Sequence, residues 1–307
     1  MIILAASHLN KSYTNKGQTL TAVRDVSIQM NAGEVLAFLG PNGAGKTTCI
    51  KMIAGLIQPD DGSVRIGDYD PHSQPKALKL LGAVLEGNRN LYWRLTPEEN
   101  LEYFGVLRGL SQRVARQRGN LLLERFNLSH KRRAQVQSLS RGMQQKLAVA
   151  VALIHQPQLL LLDEPTLGLD VEATIDVKQL VREVAAEGCA ILLTTHQLAI
   201  AEELSDRVAI INNGEIVVQE PTEELIRQFS GNAYSIELET AIDPERRNRL
   251  ESLEAIIQTE QSIRVPRENI LYQVLEILKP LPLLKVEKDR ANLSDVFLKL
   301  VREGKNG

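Results

Sequence analysis

No stretch of this chain approaches the ~18 consecutive apolar residues needed for a bilayer-spanning helix. Any membrane role is therefore expected to pass through a partner. Cysteine is scarce: Cys49 and Cys189 lie far apart, in no metal-binding or redox spacing. That excludes a disulfide framework and fits two buried thiols in a reducing compartment. Charge of one sign is also missing. With 36 Lys and Arg against 38 Asp and Glu, the net charge is -2. No global basic field exists to hold a polyanion, so nucleic acid is not an expected partner. The opening segment Met1–Asn10 lacks a basic start, and no secretory leader is expected. What remains is ordinary globular composition, 43% hydrophobic and 24% charged. The 307 residues suffice for one large domain or two ordinary ones.

Three textures follow one another. Up to about residue 95 the chain is strand-rich, with strand composition over residues 2–9, 23–30 and 34–39 and a turn at Asn31-Ala-Gly33. A helix is expected over Thr47 to Leu56, ending near Gly55. From about 96 to 155 the pattern is helical. It opens with Thr96-Pro-Glu-Glu99, a capping residue followed by Pro at the first helical position and acids in the first turn. From 158 to 220, short apolar runs such as Leu159–Leu162 and Ala190–Thr194 alternate with helical segments, which predicts a parallel sheet. Beyond residue 231 the order becomes β-α-β-β-α-β with a last helix from Ser294 to Arg302, a ferredoxin-like pattern. The expected domains are 1–230, with a helical subdomain at about 96–155, and 231–307.

Two motifs carry chemistry. Gly40-Pro-Asn-Gly-Ala-Gly-Lys-Thr-Thr48 has the P-loop spacing of two glycines followed by Lys46 and Thr47. Its glycines let backbone N–H groups of Gly40, Pro41's successors Asn42 and Gly43, Ala44 and Gly45 turn inward, and the next helix aims its positive end at the same place. Lys46 supplies a cation for the outer phosphates, Thr47 a hydroxyl for Mg²⁺, and Thr48 continues the loop into the helix. A chance match in a chain of this length is on the order of one per cent. The second motif, Leu159-Leu-Leu-Leu-Asp163-Glu164-Pro165, ends an apolar strand in two carboxylates. Asp163 is suited to hold Mg²⁺ and Glu164 to act as general base on the attacking water.

Between them lies Leu139-Ser140-Arg141-Gly142-Met143-Gln144-Gln145-Lys146, which resembles the signature motif of ATP-binding cassette (ABC) ATPases. Downstream, Gly168-Leu-Asp170 resembles that family's D-loop and Thr194-Thr195-His196 its H-switch. Tyr13 stands where the family places an aromatic on adenine. The resemblance covers about residues 1–225. It implies an α/β P-loop NTPase cassette with a mixed sheet core, an antiparallel β subdomain and an α-helical subdomain. It also implies ATP and Mg²⁺ as ligands and a head-to-tail pair of cassettes, either a homodimer or two close relatives. In that pair Ser140 and Gly142 of one chain would finish the phosphate site of the other, Asp170 would link the two sites, and His196 would contact the γ-phosphate. One chain has one P-loop and one signature, so it is not expected to complete a site alone.

Three positions depart from the family. Arg141 replaces the usual Gly and Met143 the usual Gln, and a thioether is a poor partner for a ribose hydroxyl. Glu86 stands where a Gln is expected to reach Mg²⁺ and the water; as a hard oxygen ligand it can still bind the ion. Tyr92 and Trp93 follow, either as hot spots for a membrane subunit or as cover for the helical subdomain. The tail Asn292-Leu-Ser-Asp-Val-Phe-Leu298 resembles that of exporter subunits with separate membrane subunits. The resemblance therefore implies an ATP hydrolase on the cytoplasmic face of a membrane, powering export. The alternative is a soluble ABC ATPase driving macromolecular assembly.

Overall fold

The computed structural model describes residues 1–15, 18–85, 91–230, 233–288 and 291–303. Contacts divide the chain into two units. Among the described residues, one holds Met1–Thr222 with residues 300–303; the other holds Glu223–Lys299.

In the first unit, β1 (Ile2–Asn15) and β2 (Gln18–Asn31) pair antiparallel. Both run further than the expected 2–9 and 23–30. The added residues are mostly polar and largely exposed, and the one leucine among Gln18–Thr21, Leu20, is itself exposed, so no apolar alternation betrays them. The fully buried β3 (Val35–Leu39) leads through the glycine-rich loop into α1 (Lys46–Ile53), and β4 (Asp61–Ile66) returns to pair with β1. α1 stops at Ile53 rather than near Leu56, because the Ala54 and Gly55 N–H groups close the last turn onto Ile50 and Met52 carbonyls. After α2 (Pro75–Lys79) and β5 (Leu81–Val84) come the helices α3 (Pro97–Leu107), α4 (Gln112–Arg125) and α5 (Arg141–Leu153). Then β6 (Leu159–Asp163), α6 (Val171–Ala186), β7 (Ala190–Thr194), α7 (Leu198–Leu204), β8 (Arg207–Asn212) and β9 (Glu215–Pro221) complete the unit.

Six strands form the main sheet in the order β5-β6-β7-β3-β8-β9, parallel except for the last pair. β3, β6 and β7 are buried at every residue, which is why they read as unbroken apolar runs. A second sheet, β2-β1-β4, is antiparallel. Helix starts are capped as the sequence dictates. Thr96 accepts from the Glu99 N–H at 3.2 Å and its own N–H donates to Glu99 Oε2 at 2.8 Å, a capping box worth about 1 kcal/mol.

The second unit contains α8 (Thr222–Phe229) from Glu223, β10 (Tyr234–Leu238), α9 (Pro244–Ser252), β11 (Ile256–Thr259), β12 (Ser262–Val265), α10 (Leu271–Leu278), β13 (Leu283–Lys288) and α11 (Leu293–Glu303) as far as Lys299. Its sheet is antiparallel in the order β11-β12-β10-β13, the arrangement of a ferredoxin-like unit. Ile236, Leu238, Ile263 and Val265 turn to one face and bury themselves with Leu250, Val274 and Leu278 of the two helices.

Candidate functional site

The loop from Gly40 to Thr48 leaves the buried end of β3 and turns directly into α1. Gly45 sits at φ 110°, and a Cβ there would lie 2.4 Å from the Ala22 carbonyl oxygen. Only glycine fits both that conformation and that approach. Lys46 is half-buried, and its ammonium donates to the Gly40 carbonyl at 2.6 Å and the Pro41 carbonyl at 3.1 Å. Burial pulls its pKa below the usual lysine value, against the opposing pull of Glu164 and Asp163.

A cavity of about 450 Å³ is lined by Tyr13, Asn42, Gly43, Gly45, Lys46, Thr47, Thr48, Asp163, Glu164 and His196. Gly40, Pro41 and Ala44 belong to the same loop, with Gly40 and Ala44 buried behind it. Residues separated by most of the unit thus converge because β3, β6 and β7 are parallel and end on the same edge. Leu20, Ala22 and Leu167 join the lining without having been singled out in the sequence; each is an ordinary apolar residue when read alone. Tyr13 is 40% exposed, with the Lys11 ammonium 5.9 Å from its ring centroid.

The two carboxylates at the end of β6 are held differently. Asp163 is buried and accepts a hydrogen bond from the Thr194 hydroxyl on neighbouring β7. Thr194 therefore acts on the site through Asp163, a role its motif alone did not reveal. Glu164 has φ 51°, a left-handed conformation that costs a non-glycine residue on the order of 1–3 kcal/mol. Its N–H donates to the Thr194 carbonyl at 3.0 Å, which keeps the turn in place. Glu164 Oε1 lies 2.9 Å from His196 Nδ1, with the ring nitrogen donating. Glu164 Oε2 is buried with no hydrogen-bond partner among the described residues. Glu86 lies outside the described residues.

Ser140, Gly142 and Asp170 do not line this cavity. They sit together elsewhere in the unit, at the adjacent starts of α5 and α6. The Ser140 hydroxyl caps α5, accepting from the Met143 N–H at 3.3 Å, and Asp170 caps α6, accepting from the Ala173 N–H at 2.8 Å. The two helix starts approach so closely that a Cβ on Gly142 would lie 2.6 Å from the Ala173 Cβ. Arg141 is exposed and reaches toward Gly168. Beside them, Leu167, Val171 and Ile175 are 50%, 78% and 53% exposed, an apolar patch around Asp170. A second cavity of about 560 Å³ includes Trp93, Arg141, Gln144, Asp163, Glu164 and Leu167. Near it Tyr92 packs on Tyr103 at 4.9 Å and on Phe104 at 5.6 Å, and Tyr92, Trp93 and Tyr103 all stay more than 40% exposed.

A family profile described as ABC transporter matches residues 23–167. The ABC transporter ATP-binding protein NatA of Bacillus subtilis is 36% identical over 224 residues, 73% of this chain and 91% of its own length. The doxorubicin resistance ATP-binding protein DrrA of Mycobacterium tuberculosis is 39% identical over 226 residues, 74% of this chain and 67% of its own. The Nod factor export ATP-binding protein I of Cupriavidus pinatubonensis is 36% identical and covers 97% of this chain and 91% of itself. Among solved structures, an ATP-binding subunit of an ABC transporter superposes with a TM-score of 0.66 at 34% identity, covering 74% of this chain and 93% of that one. A dimeric cassette in a post-hydrolysis state, bound to ADP and Pi, superposes with a TM-score of 0.65 at 25% identity, covering 72% and 99%.

Proposed function

Because the chain belongs to the ABC transporter ATP-binding subunits and is an ATP hydrolase, we propose that it powers export through separate membrane subunits by closing on a second cassette around ATP. One observation carries this reading. The P-loop, Asp163, Glu164, His196 and Tyr13 share a cavity, while Ser140, Gly142 and Asp170 stand outside it beside an exposed apolar patch. A group of residues that must meet the γ-phosphate, yet lies apart from it in the same chain, is supplied by another chain.

The residues divide the work as follows. Tyr13 stacks on adenine, and the inward N–H groups of the loop together with Lys46 hold the phosphates. The oxygen donors of Thr47 and Asp163 suit Mg²⁺, which is commonly held by one or two carboxylates and substrate phosphates. No cluster of three or more His, Cys, Asp or Glu exists among the described residues to hold a metal alone. When bound, the ion supplies charge neutralisation at the transferring phosphoryl group. Thr194 keeps the Asp163 carboxylate oriented. Glu164 takes a proton from water as the water oxygen bonds to the γ-phosphorus and the bridge to ADP breaks, leaving ADP and phosphate. His196, hydrogen-bonded to Glu164 Oε1, orients that base and contacts the γ-phosphate. The second chain's signature, with Ser140 and the Gly142 N–H at a helix start, completes the oxyanion contacts.

Export is supported by the names of the relatives, which describe drug resistance and Nod factor export. Assembly on chromosomes or ribosomes has no such support. No helix among the described residues is long and apolar enough to cross a membrane. The Tyr92, Trp93 and Tyr103 rings offer an exposed aromatic site for a membrane subunit, which would hold the chain at the cytoplasmic face. The test is Glu164→Gln. Removing the base is expected to cut ATP turnover on the order of 10²–10⁴-fold while ATP still binds and traps a dimer. A Glu164→Gln chain that stays monomeric at saturating ATP overturns the shared site.

A further inference from the structure

The sheet of the second unit ends on β13, and its six residues, Leu283–Lys288, are all exposed. Among the described residues β13 has one neighbour, β10, so its outer edge presents backbone N–H and C=O groups to whatever can pair with them. Edges of this kind are usually blunted by proline, shortness or charge. β13 has no proline and carries Leu283, Leu284 and Val286 at 44%, 63% and 42% exposure. Its charges are Lys285, Glu287 and Lys288, with Lys285 and Glu287 forming an ion pair along the strand.

We propose that β13 pairs antiparallel with β13 of a second copy of this chain, joining the two second units into one eight-stranded sheet centred on Val286.

The register follows from the sequence of the strand. With the two-fold axis at Val286, Val286 faces Val286 of the second copy, Lys285 faces Glu287, Glu287 faces Lys285, and Leu284 faces Lys288. Centring on residue 285 would oppose two lysines, and centring on 287 would oppose two glutamates. A one-residue slip from Val286 sets Lys285 either against Val286 or against Lys288. Like charges directly opposite are destabilising and opposite charges favourable, so the charges that normally guard an edge here select one partner and one register.

The rows that already cross the sheet extend across this junction. On the helix-covered face, buried Ile236 of β10 stands beside Val286, and the next residue in that row becomes Val286 of the second copy, followed by its Ile236. On the open face, Glu237 stands beside Lys285, and the row continues with Glu287 of the second copy. Charges thus alternate negative, positive, negative, while the opposite face continues as an apolar row. This contact needs no nucleotide, so it keeps two copies together while hydrolysis opens the ATP-dependent contact.

Cross-linking in the full chain tests the register. Both native thiols are buried, Cys49 at 0% and Cys189 at 8% exposure, so they give no background. Opposed residues on antiparallel strands are about 4.5–5.5 Å apart at Cα, within disulfide reach. Under mild oxidation without nucleotide, Val286→Cys is expected to form a covalent dimer. Lys285→Cys and Glu287→Cys are each expected to stay monomeric alone and to cross-link when mixed. Adding Lys285→Glu to the Val286→Cys chain should slow cross-linking at least tenfold, and adding Glu287→Lys to that chain should restore it. Absence of the Val286→Cys dimer, or cross-linking no faster than Tyr272→Cys on exposed α10, overturns the proposal. Because ATP is left out, this result is independent of whether Glu164→Gln traps a dimer.

Discussion

His155, just past the end of α5, gives a sharp test of how the first unit is held together. The ring is half-buried, and its Nε2–H donates to the Leu81 carbonyl at 3.0 Å. Nδ1 is buried with no partner among the described residues. Burial first, and then the Arg108 guanidinium, push the imidazole pKa from 6.5 down to about 4. An unfolded chain takes up this proton near pH 6.5, whereas the folded chain resists until about pH 4. Between those values the unfolded state binds more protons, so stability falls as pH falls. The group contributes its full effect above about pH 6.5 and loses it progressively down to about pH 4. With those two values, linkage gives a loss of about 2 kcal/mol between roughly pH 7 and pH 5. His155→Gln keeps a side-chain donor for the Leu81 carbonyl but cannot titrate. Urea unfolding at the two pH values, followed by fluorescence of the single Trp93, measures the difference. The parent is expected to lose about 2 kcal/mol more than His155→Gln over this interval. Equal pH dependence in the two proteins refutes the argument.

Two other substitutions probe the site. Thr194→Val removes a donor to buried Asp163 and should cost about 1–3 kcal/mol in urea unfolding. The shifted carboxylate should lower the ATPase rate on the order of tenfold or more; an unchanged steady-state rate would show that Thr194 does not position Asp163. Gly142→Ala forces its new methyl against Ala173 and should destabilise by about 1–3 kcal/mol. Full stability by chemical denaturation would mean that the starts of α5 and α6 separate easily.

Much of the site could be read from the chain because each motif sits where an element ends. β3, β6 and β7 are buried on both faces, so they appear as apolar runs, and the polar residues that follow them mark one edge of the sheet. The same logic fails for the outer halves of β1 and β2, where exposed polar residues form strand only because their partner strand is there. That is why Tyr13 could be placed by resemblance but not by pattern. The left-handed backbone at Glu164 leaves no trace in composition, since it is imposed by the turn between β6 and the Thr194 carbonyl. The contact of His196 with Glu164 was likewise invisible, because adjacency of strands β6 and β7 creates it. In the second unit the order of elements was legible, and with it the ferredoxin-like arrangement. The exposure of β13 was not, because Leu283, Leu284 and Val286 look like core residues until the sheet order places them on its rim.

Glu164, with Asp163 and Leu167, lines both the cavity that contains Lys46 and the one that contains Trp93. The Asp163 and Glu164 carboxylates, with Leu167, are therefore a party wall between the nucleotide chamber and the aromatic chamber. Whatever draws Glu164 Oε2 toward a new donor on one side alters the packing and polarity seen on the other. Fluorescence of the Trp93 indole is thus expected to change when the phosphate site fills, through a wall rather than by touch.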